Sequence, residues 1–366
     1  MNEAILKELP QPKKKKAIVA SLEPGVEALL TQLGSADWQT RVQSAELLGE
    51  IQEPALVLRL IHNLGATDFR MRRAAAEALG HMGAFSTEEL LGALTHKNDL
   101  VRQAALSGLR VAEKEAYPTL IVAAQSKQVT RRRAAVEALG MLRVLGAAPV
   151  LMECLQDTDS ETRWRAAAAL GELRALQAVE GLIAGLQDGE GQVRWALVTA
   201  LGQIADRSAV EALTGCLQDE LELVRAAAAW ALGEVGDSRA VFALTPLLCA
   251  SSVDIRRAAI LALGKLGDPA GRSLVLPALQ DSDLEVRLVA IEAVKQFGGK
   301  EAVRALLPLL GEPEPLVRHA VVEALSDMGT LAETALRAHL RTATGWAATA
   351  AQEALDRLWR EQRKAA

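Results

Sequence analysis

Cysteine and aromatic residues are scarce in this sequence of 366 residues, which has three cysteines, six tryptophans, four phenylalanines and one tyrosine. Three cysteines exclude a disulfide-stapled scaffold, and so few rings argue against an ordinary globular enzyme core. Apolar runs long enough to span a membrane (about 18 residues) are missing, and so is an apolar signal-peptide core, which favours a cytoplasmic location. With 50% apolar and 24% charged residues, the chain is predicted to be folded and rich in helix.

The charge balance gives no overall attraction for nucleic acid or for an anionic membrane. The net charge is −5, and the basic residues are unevenly distributed: residues 1–142 hold 18 basic and 16 acidic side chains, and residues 143–366 hold 23 and 30. Tracking a phosphate backbone requires many cations. Nucleic acid is therefore the weakest of the partner classes considered, and no membrane association is expected.

Arginine, leucine and alanine recur along the sequence with one period of about 31 residues. Leucine or valine stands seven residues after each recurring arginine, and small or apolar residues fill the positions that one face of a helix would present. The recurring arginines are Arg41, Arg72, Arg102, Arg132, Arg163, Arg194, Arg225, Arg256, Arg287 and Arg318. Each repeat is predicted to contain a short helix A, a turn and a longer helix B that starts just before the arginine.

Helix ends follow the same period. Short acidic residues precede helix B, where a carboxylate can cap free amides, and most of the 27 glycines are expected to terminate helices. The expected caps are Asp37, Asp68, Asp99, Asp159 and Asp283. Since two such helices cannot bury their apolar faces alone, neighbouring pairs must stack into one elongated core.

Three regions are predicted along the chain. Residues 1–22, with four consecutive lysines, form a flexible basic tail; residues 23–342 form the repeat array; and residues 343–366 form a C-terminal capping helix. Leu331–Leu340 and Trp346–Arg360 are expected to be an eleventh, divergent helix pair. Between residues 95 and 132 the spacing shortens and Arg110 replaces the usual glycine, so a bend or looser joint is predicted there.

The run VRAAAAWALGEVG from Val224 to Gly236 resembles the HEAT repeat, and more closely the short HEAT-like repeats named after phycobilisome lyases. The resemblance can be followed over residues 23–342 and implies an all-α fold, an α–α superhelix (α-solenoid) of about eleven helix pairs. It also implies that the B helices line the concave side. Such arrays include scaffolds, transport receptors and enzymes, so the repeat alone does not select a function.

Catalysis and cofactors find little support in the sequence. Deoxyhypusine hydroxylase, which has similar repeats, binds iron through His-Glu pairs, but none of the five histidines here is followed by glutamate. Neither a metal-ligand spacing nor a phosphate-binding glycine loop is present, so no cofactor or metal is expected. A non-catalytic protein-interaction scaffold is the leading hypothesis. A bilin lyase or lyase-like subunit is the alternative, implied by the repeat subclass alone.

The expected partner site lies on the B helices, where positions one and five after each arginine should face outward. In the middle repeats these positions are apolar, and nearby glutamates could meet a basic partner. The predicted partner-binding residues are Trp164, Trp195, Trp230, Leu261, Leu288, Glu172 and Glu234. The competing interpretation is that the tryptophan rings lie flat across neighbouring helices and only cover a narrow groove.

The recurring arginine is predicted to be structural, because a residue that every repeat needs serves the repeat itself. A guanidinium can bind a carboxylate through two parallel hydrogen bonds, so contacts from arginine to aspartate between adjacent repeats are expected.

Overall fold

The computed structural model describes residues 24–365 and contains 22 α-helices and no strand in that range. The helices form eleven consecutive A–B pairs, which confirms the predicted all-α class and pair number. By its internal contacts the chain divides after Leu173 into two compact units. The basic tail predicted for residues 1–22 lies outside the described residues.

Five helix pairs precede the division, with odd numbers for A helices and even numbers for B helices. They are α1 (Pro24–Gln32), α2 (Trp38–Gly49), α3 (Pro54–Asn63), α4 (Phe69–His81), α5 (Thr87–Ala93), α6 (Asp99–Ala112), α7 (Tyr117–Ala124), α8 (Val129–Met141), α9 (Ala148–Cys154) and α10 (Ser160–Glu172).

Six pairs follow the division. They are α11 (Val179–Ala184), α12 (Gly191–Ile204), α13 (Val210–Cys216), α14 (Glu222–Val235), α15 (Val241–Leu244), α16 (Val253–Leu266), α17 (Pro269–Val275), α18 (Leu284–Phe297), α19 (Gly299–Leu306), α20 (Pro315–Asp327), α21 (Thr330–Leu340) and α22 (Gly345–Ala365).

Local sequence sets the limits of the B helices. Asp37, Asp68 and Asp159 accept a hydrogen bond from a backbone amide in the first turn that follows, as expected of N-caps. In α6 the cap is Asn98, one residue before the expected Asp99. Gly236 ends α14 with φ 69° and ψ 28°, a left-handed conformation that glycine adopts without a steric penalty.

The A helices are short, and several continue as 3₁₀ turns. The turns Thr245–Cys249, Leu276–Gln280 and Leu307–Gly311 each carry a proline at their second residue. Proline has no amide hydrogen to donate and disfavours continuation of the α-helix before it. The B helices are therefore the longer and more regular elements of each unit.

Successive B helices pack closely because small residues face each other. A Cβ added at Gly233 on α14 would lie 2.8 Å from the Cα of Ala262 on α16, and one at Gly140 on α8 would lie 2.8 Å from the Cα of Ala169 on α10. These glycines lie inside helices, so the expectation that most glycines terminate helices is wrong for this column. Its other members with such contacts are Gly80, Gly202 and Gly264.

One neighbouring pair of B helices in the first unit departs from this packing. The backbones of α6 and α8 do not pack closely, whereas α8 contacts α7 of its own pair and α5 of the preceding pair. Arg110 on α6 stands eight residues after its repeat arginine, where seven of the ten repeats have glycine. A cavity of about 510 Å³ lies beside it, lined also by Tyr117 and Met141. The looser joint predicted for residues 95–132 corresponds to this interruption.

The last helix, α22, packs against α20 and α21. The guanidinium of Arg318 lies 4.4 Å from the ring centre of Trp346, and that of Arg337 lies 5.1 Å from the ring centre of Trp359. Trp346 stays largely exposed, whereas Trp359 is half-buried. The capping role of this helix stays a prediction. Among the described residues, no helix is long and apolar enough to cross a membrane.

Candidate functional site

The recurring arginine closes the loop between helix A and helix B in every repeat. In all ten repeats its Nη1 donates to the backbone carbonyl six residues earlier, as in the bonds from Arg41 to Ser35 (2.7 Å) and from Arg225 to Asp219 (2.7 Å). The carbonyls at the end of helix A have no partner within the helix, so the arginine satisfies them. The common role of this side chain is thus to hold its own loop.

Arg132, Arg194 and Arg256 also make the expected contact with an aspartate of the next repeat. Both Nε and Nη2 donate to one carboxylate, at 2.8 Å each for Arg132 and Asp157, and at 2.7 and 2.9 Å for Arg194 and Asp219. The third such pair joins Arg256 to Asp281. The aspartates lie in the loop before helix B, not at its start.

These bonds shift the acid–base properties of the partners. Hydrogen bonds from Arg194 lower the pKa of Asp219, and the same bonds raise the pKa of the Arg194 guanidinium. Asp159 has a lowered pKa chiefly because Arg133 donates to its carboxylate. Since these carboxylates have arginine partners, they fit a structural role better than acid–base catalysis.

Trp195 and Trp230 of the second unit share one face of α12. Trp195 and Gly202 are seven residues apart on that helix and therefore lie on the same side. A Cβ added at Gly202 would lie 2.6 Å from Cζ3 of Trp230, so the ring of Trp230 extends from α14 across α12. Both tryptophans are half-buried. For Trp230 this arrangement combines the two interpretations of the sequence, because its ring covers part of a neighbouring helix and still exposes some of its surface.

Leu261, Leu288 and Glu234 also belong to the second unit. Leu261 is 38% exposed on α16, and Leu288 on α18 is half-buried. Glu234 forms an ion pair with Lys265 of the next B helix. A basic partner of Glu234 would have to compete with that lysine.

Trp164 and Glu172 lie on α10 of the first unit. Trp164 is half-buried, and the guanidinium of Arg165 lies 4.8 Å from its ring centre. Glu172 is exposed and accepts a long hydrogen bond of 3.4 Å from Arg143 of the preceding repeat. Both predicted carboxylates thus contact a cation of a neighbouring repeat.

A groove of about 530 Å³ crosses α18, α20 and α22. Its apolar lining consists of Leu288, Ile291, Ala320 and Ala324. Charged side chains surround it and pair with one another: the Nζ of Lys295 lies 2.7 Å from Glu292 and 3.2 Å from Asp327, and Arg357 lies 3.2 Å from Glu323. Of the residues predicted to bind a partner, Leu288 alone lines this groove.

Exposed aromatic residues at the start of α2 and α4 were missed by the sequence reasoning. Trp38 is 61% exposed and Phe69 is 63% exposed, more than any of the three tryptophans predicted to bind a partner. Both stand three residues before the repeat arginine, so the repeat alignment contained the signal. The choice of positions one and five as the outward face excluded them.

The part of the chain that the structure describes holds no metal-binding cluster, and two of its three thiols are buried. Within residues 24–365, no cluster of three or more His, Cys, Asp or Glu side chains could hold a metal ion. Cys154 and Cys216 are buried free thiols, and burial raises the pKa of each to about 11. Cys249 is free and exposed. Buried thiols with a raised pKa are poor nucleophiles.

Comparison with solved structures finds similar repeat folds. Kap95p in its complex with RanGDP matches with a TM-score of 0.54 and 13% identity, over 98% of this chain and 59% of that one. The YibA protein of Escherichia coli matches with a TM-score of 0.50 and 19% identity, over 66% and 91%. The CpcE–CpcF complex of phycocyanin lyase from Nostoc sp. PCC7120 matches with a TM-score of 0.42 and 25% identity, over 66% and 94%.

No curated protein matches the sequence. The family model described as HEAT repeats matches in overlapping segments from residue 26 to residue 356. The matched segments are 26–110, 87–171, 117–191, 179–264, 222–283, 243–309 and 272–356. The helix pairs, the repeat arginine and these matches agree, and the chain belongs to the HEAT-repeat family.

Proposed function

We propose that the protein is a non-catalytic interaction scaffold whose B helices bind a protein or peptide. The observation that carries the proposal is the groove of about 530 Å³ across α18, α20 and α22, in which Leu288 and Ala320 lie among charged side chains. Protein-binding surfaces usually combine apolar and polar groups in this way. Leu288 lines this groove and is also one of the apolar residues that the sequence predicts to bind a partner, with Trp164, Trp195, Trp230 and Leu261.

The half-buried tryptophans of the second unit support the proposal that the B helices bind a partner. Trp195 and Trp230 are both half-buried, and the ring of Trp230 contacts α12 at Gly202. Packing fixes such rings before a partner arrives, so less conformational entropy is lost on binding. Tryptophan is also enriched among residues that dominate binding energy. The proposal extends to Trp164 and Glu172 on α10 and to Glu234 on α14.

The B helices are proposed to form the binding side because they approach each other more closely than the A helices do. The Gly–Ala contacts of Gly233 with Ala262 and of Gly264 with Ala293 join consecutive B helices. A row of closely packed helices is expected to be the inner, concave row of a repeat array. Kap95p, in its complexes with RanGDP and with Nup1, is a repeat protein of similar fold that binds proteins.

Affinity capture with matched variants tests the proposal. The full chain is immobilised, and captured proteins are quantified by mass spectrometry for the unaltered chain, for Trp195→Ala/Trp230→Ala and for Leu261→Glu. The control is Phe242→Ala, because Phe242 is 74% exposed on the A helix α15. Circular dichroism confirms that each variant is folded.

The proposal predicts that the same proteins are lost in both B-helix variants and are retained by Phe242→Ala. If the double tryptophan variant is unstable, Leu261→Glu provides the test, because Leu261 is already exposed and its substitution should not unfold the chain. Equal capture by folded B-helix variants and by the unaltered chain would contradict the proposal.

The bilin-lyase alternative has no supporting contact among the described residues. Nothing within residues 24–365 favours bilin chemistry, and absorbance that stays unchanged on mixing with a bilin and an acceptor subunit would remove the lyase hypothesis.

A cytoplasmic location is part of the scaffold proposal and is supported by three free thiols, since oxidising compartments favour disulfides.

A further inference from the structure

The first unit carries a second kind of surface where its first three B helices begin. Trp38 opens α2, Phe69 opens α4, and Leu100 is the second residue of α6. Their exposed fractions are 61%, 63% and 44%. These three large apolar side chains lie in the first turns of successive B helices, with Leu100 two residues before its repeat arginine and the two aromatic residues three before theirs. Together they form an exposed row, and such rows mark interaction sites more often than isolated exposed residues do.

Two grooves run beside this row, one on each side of α4. The groove between α2 and α4 has a volume of about 210 Å³, and the groove between α4 and α6 has a volume of about 430 Å³. Phe69 and Arg73 line both grooves. The small side chains of Ala74, Ala76 and Ala104 line them too and leave room for a partner's side chains.

The charge of the grooves is strongly one-sided. Glu77 is the one carboxylate among the described residues that line them, and it pairs with Arg73 at 2.9 Å. The lining arginines are Arg41, Arg70, Arg72, Arg73 and Arg110. Arg110 has no ion-pair partner within residues 24–365. The two grooves, which we call the basic grooves, therefore attract an acidic partner.

We propose that the basic grooves bind an extended acidic segment of a partner protein with an apolar residue at every third position. Packed helices lie about 8–10 Å apart, so successive members of the row are separated by about that distance. An extended polyproline-II segment advances about 9 Å in three residues and presents every third side chain on one side. Its apolar side chains contact Trp38, Phe69 and Leu100, and its carboxylates lie beside the arginines.

A protein segment fits these grooves better than a nucleic acid strand does. Leu100 and Val111 are aliphatic, so they contact apolar side chains but offer no ring on which bases stack. The surface lies in the first unit and does not depend on Trp195, Trp230 or Leu288.

Fluorescence anisotropy with synthetic peptides tests the proposal on the full chain. The probe is a fluorescein-labelled peptide of about 15 residues with leucine at every third position and Asp or Glu between, long enough to cross three helices. One control peptide has the same composition with leucine at shuffled positions, and another has lysine in place of the acids. A labelled oligothymidylate of similar length tests nucleic acid.

The expected result is that the probe binds at least about tenfold more tightly than either control peptide and than the oligothymidylate, as good anchors allow. Phe69→Ala and Arg73→Glu should each weaken binding by about tenfold. The matched controls Phe242→Ala and Arg304→Glu, exposed on α15 and α19, should leave it unchanged.

Three results would overturn the proposal: no binding of the probe, equal binding of the probe and the shuffled peptide, or binding that folded Phe69→Ala and Arg73→Glu variants retain. Tighter binding of oligothymidylate, lost in Arg73→Glu, would instead identify a nucleic acid surface. Since the altered residues are exposed, circular dichroism should show that every variant keeps its helices.

Discussion

The repeat arginine makes two kinds of contact, with loop carbonyls and with a carboxylate of the next repeat. Substitutions in different repeats separate their contributions to stability. Arg287 donates to the carbonyls of Asp281 and Ser282 in its own loop, whereas Arg194 also binds the carboxylate of Asp219 and is only 10% exposed. Removing Arg194 therefore leaves a buried carboxylate without its partner, which costs more than the loss of loop hydrogen bonds alone.

We predict that Arg194→Met lowers the free energy of unfolding by about 3 kcal/mol and Arg287→Met by about 1–2 kcal/mol. Methionine keeps most of the aliphatic stem, so the difference reports the polar contacts. Urea unfolding followed by circular dichroism measures both. Equal losses would show that the carboxylate pair adds nothing to the loop bonds.

The arginine–carboxylate bonds also predict an acid-sensitive stability. Hydrogen bonds from Arg194 lower the pKa of Asp219 in the folded chain, so its contribution is complete above the pKa of about 4 of the unfolded chain. That contribution is lost as the pH falls through the lower folded value. The urea midpoint should therefore decrease below about pH 4.

Asp219→Asn provides the matched variant for this pH dependence. It should be less stable than the unaltered chain at pH 7 and should lose less stability on acidification, because one of the shifted carboxylates is gone. Parallel pH profiles of the two proteins would contradict the assignment of acid sensitivity to this pair.

At the scale of the helix, the contact glycines set how closely B helices approach. A Cβ at Gly233 would lie 2.8 Å from the Cα of Ala262, closer than unstrained packing allows. Gly215 lies in the A helix α13 with nothing within 4 Å of an added Cβ. The same substitution should therefore have opposite effects at the two positions.

We predict that Gly233→Ala destabilises the protein by about 1–3 kcal/mol through overpacking. Gly215→Ala should stabilise it by about 0.5–1 kcal/mol, because alanine is the better helix former. Thermal unfolding of the two variants under the same conditions measures the contrast. A stabilising Gly233→Ala would refute close packing at that contact.

The helix pairs could be predicted from the sequence because each one repeats the same local pattern. The leucine seven residues after the arginine is buried in repeat after repeat, as at Leu79, Leu139 and Leu232. The direction of the Trp230 ring could not be predicted in this way. It depends on Gly202 in the preceding repeat, where the missing side chain leaves room for the ring.

The candidate site was predicted only in part for a related reason. Periodicity identifies which positions of a helix face away from the core. The exposed fraction of a side chain at such a position also depends on how closely the neighbouring helices approach. Trp38 and Phe69 are the first residues of their helices and are more exposed than Trp195, which is the fifth residue of α12. The joint at Arg110 was visible because it breaks a column of glycines.

At the scale of the whole molecule, repeat architecture predicts that stability is spread along the chain. Each repeat contacts mainly its neighbours, so a fragment with several complete helix pairs keeps most of its own contacts. The two compact units hold five and six pairs, with the division after Leu173.

We predict that residues 1–173 and residues 174–366, expressed separately, each give a strongly helical circular dichroism spectrum and a cooperative thermal transition. The stability of each fragment should follow from the helix pairs that it contains, because each repeat contacts mainly its neighbours. A fragment that is unfolded at 25 °C would show that the two units do not have independent cores.

The scaffold proposal requires that partners contact B helices and not A helices, which site-specific photo-crosslinking tests most directly. A photoreactive phenylalanine analogue is placed at Leu261 on the B helix α16 or at Phe242 on the A helix α15, both exposed. We predict that Leu261 crosslinks to a defined protein, that Phe242 does not, and that Trp195→Ala/Trp230→Ala abolishes the crosslink. Equal crosslinking from both positions, or crosslinking from Phe242 alone, would contradict the proposed binding side.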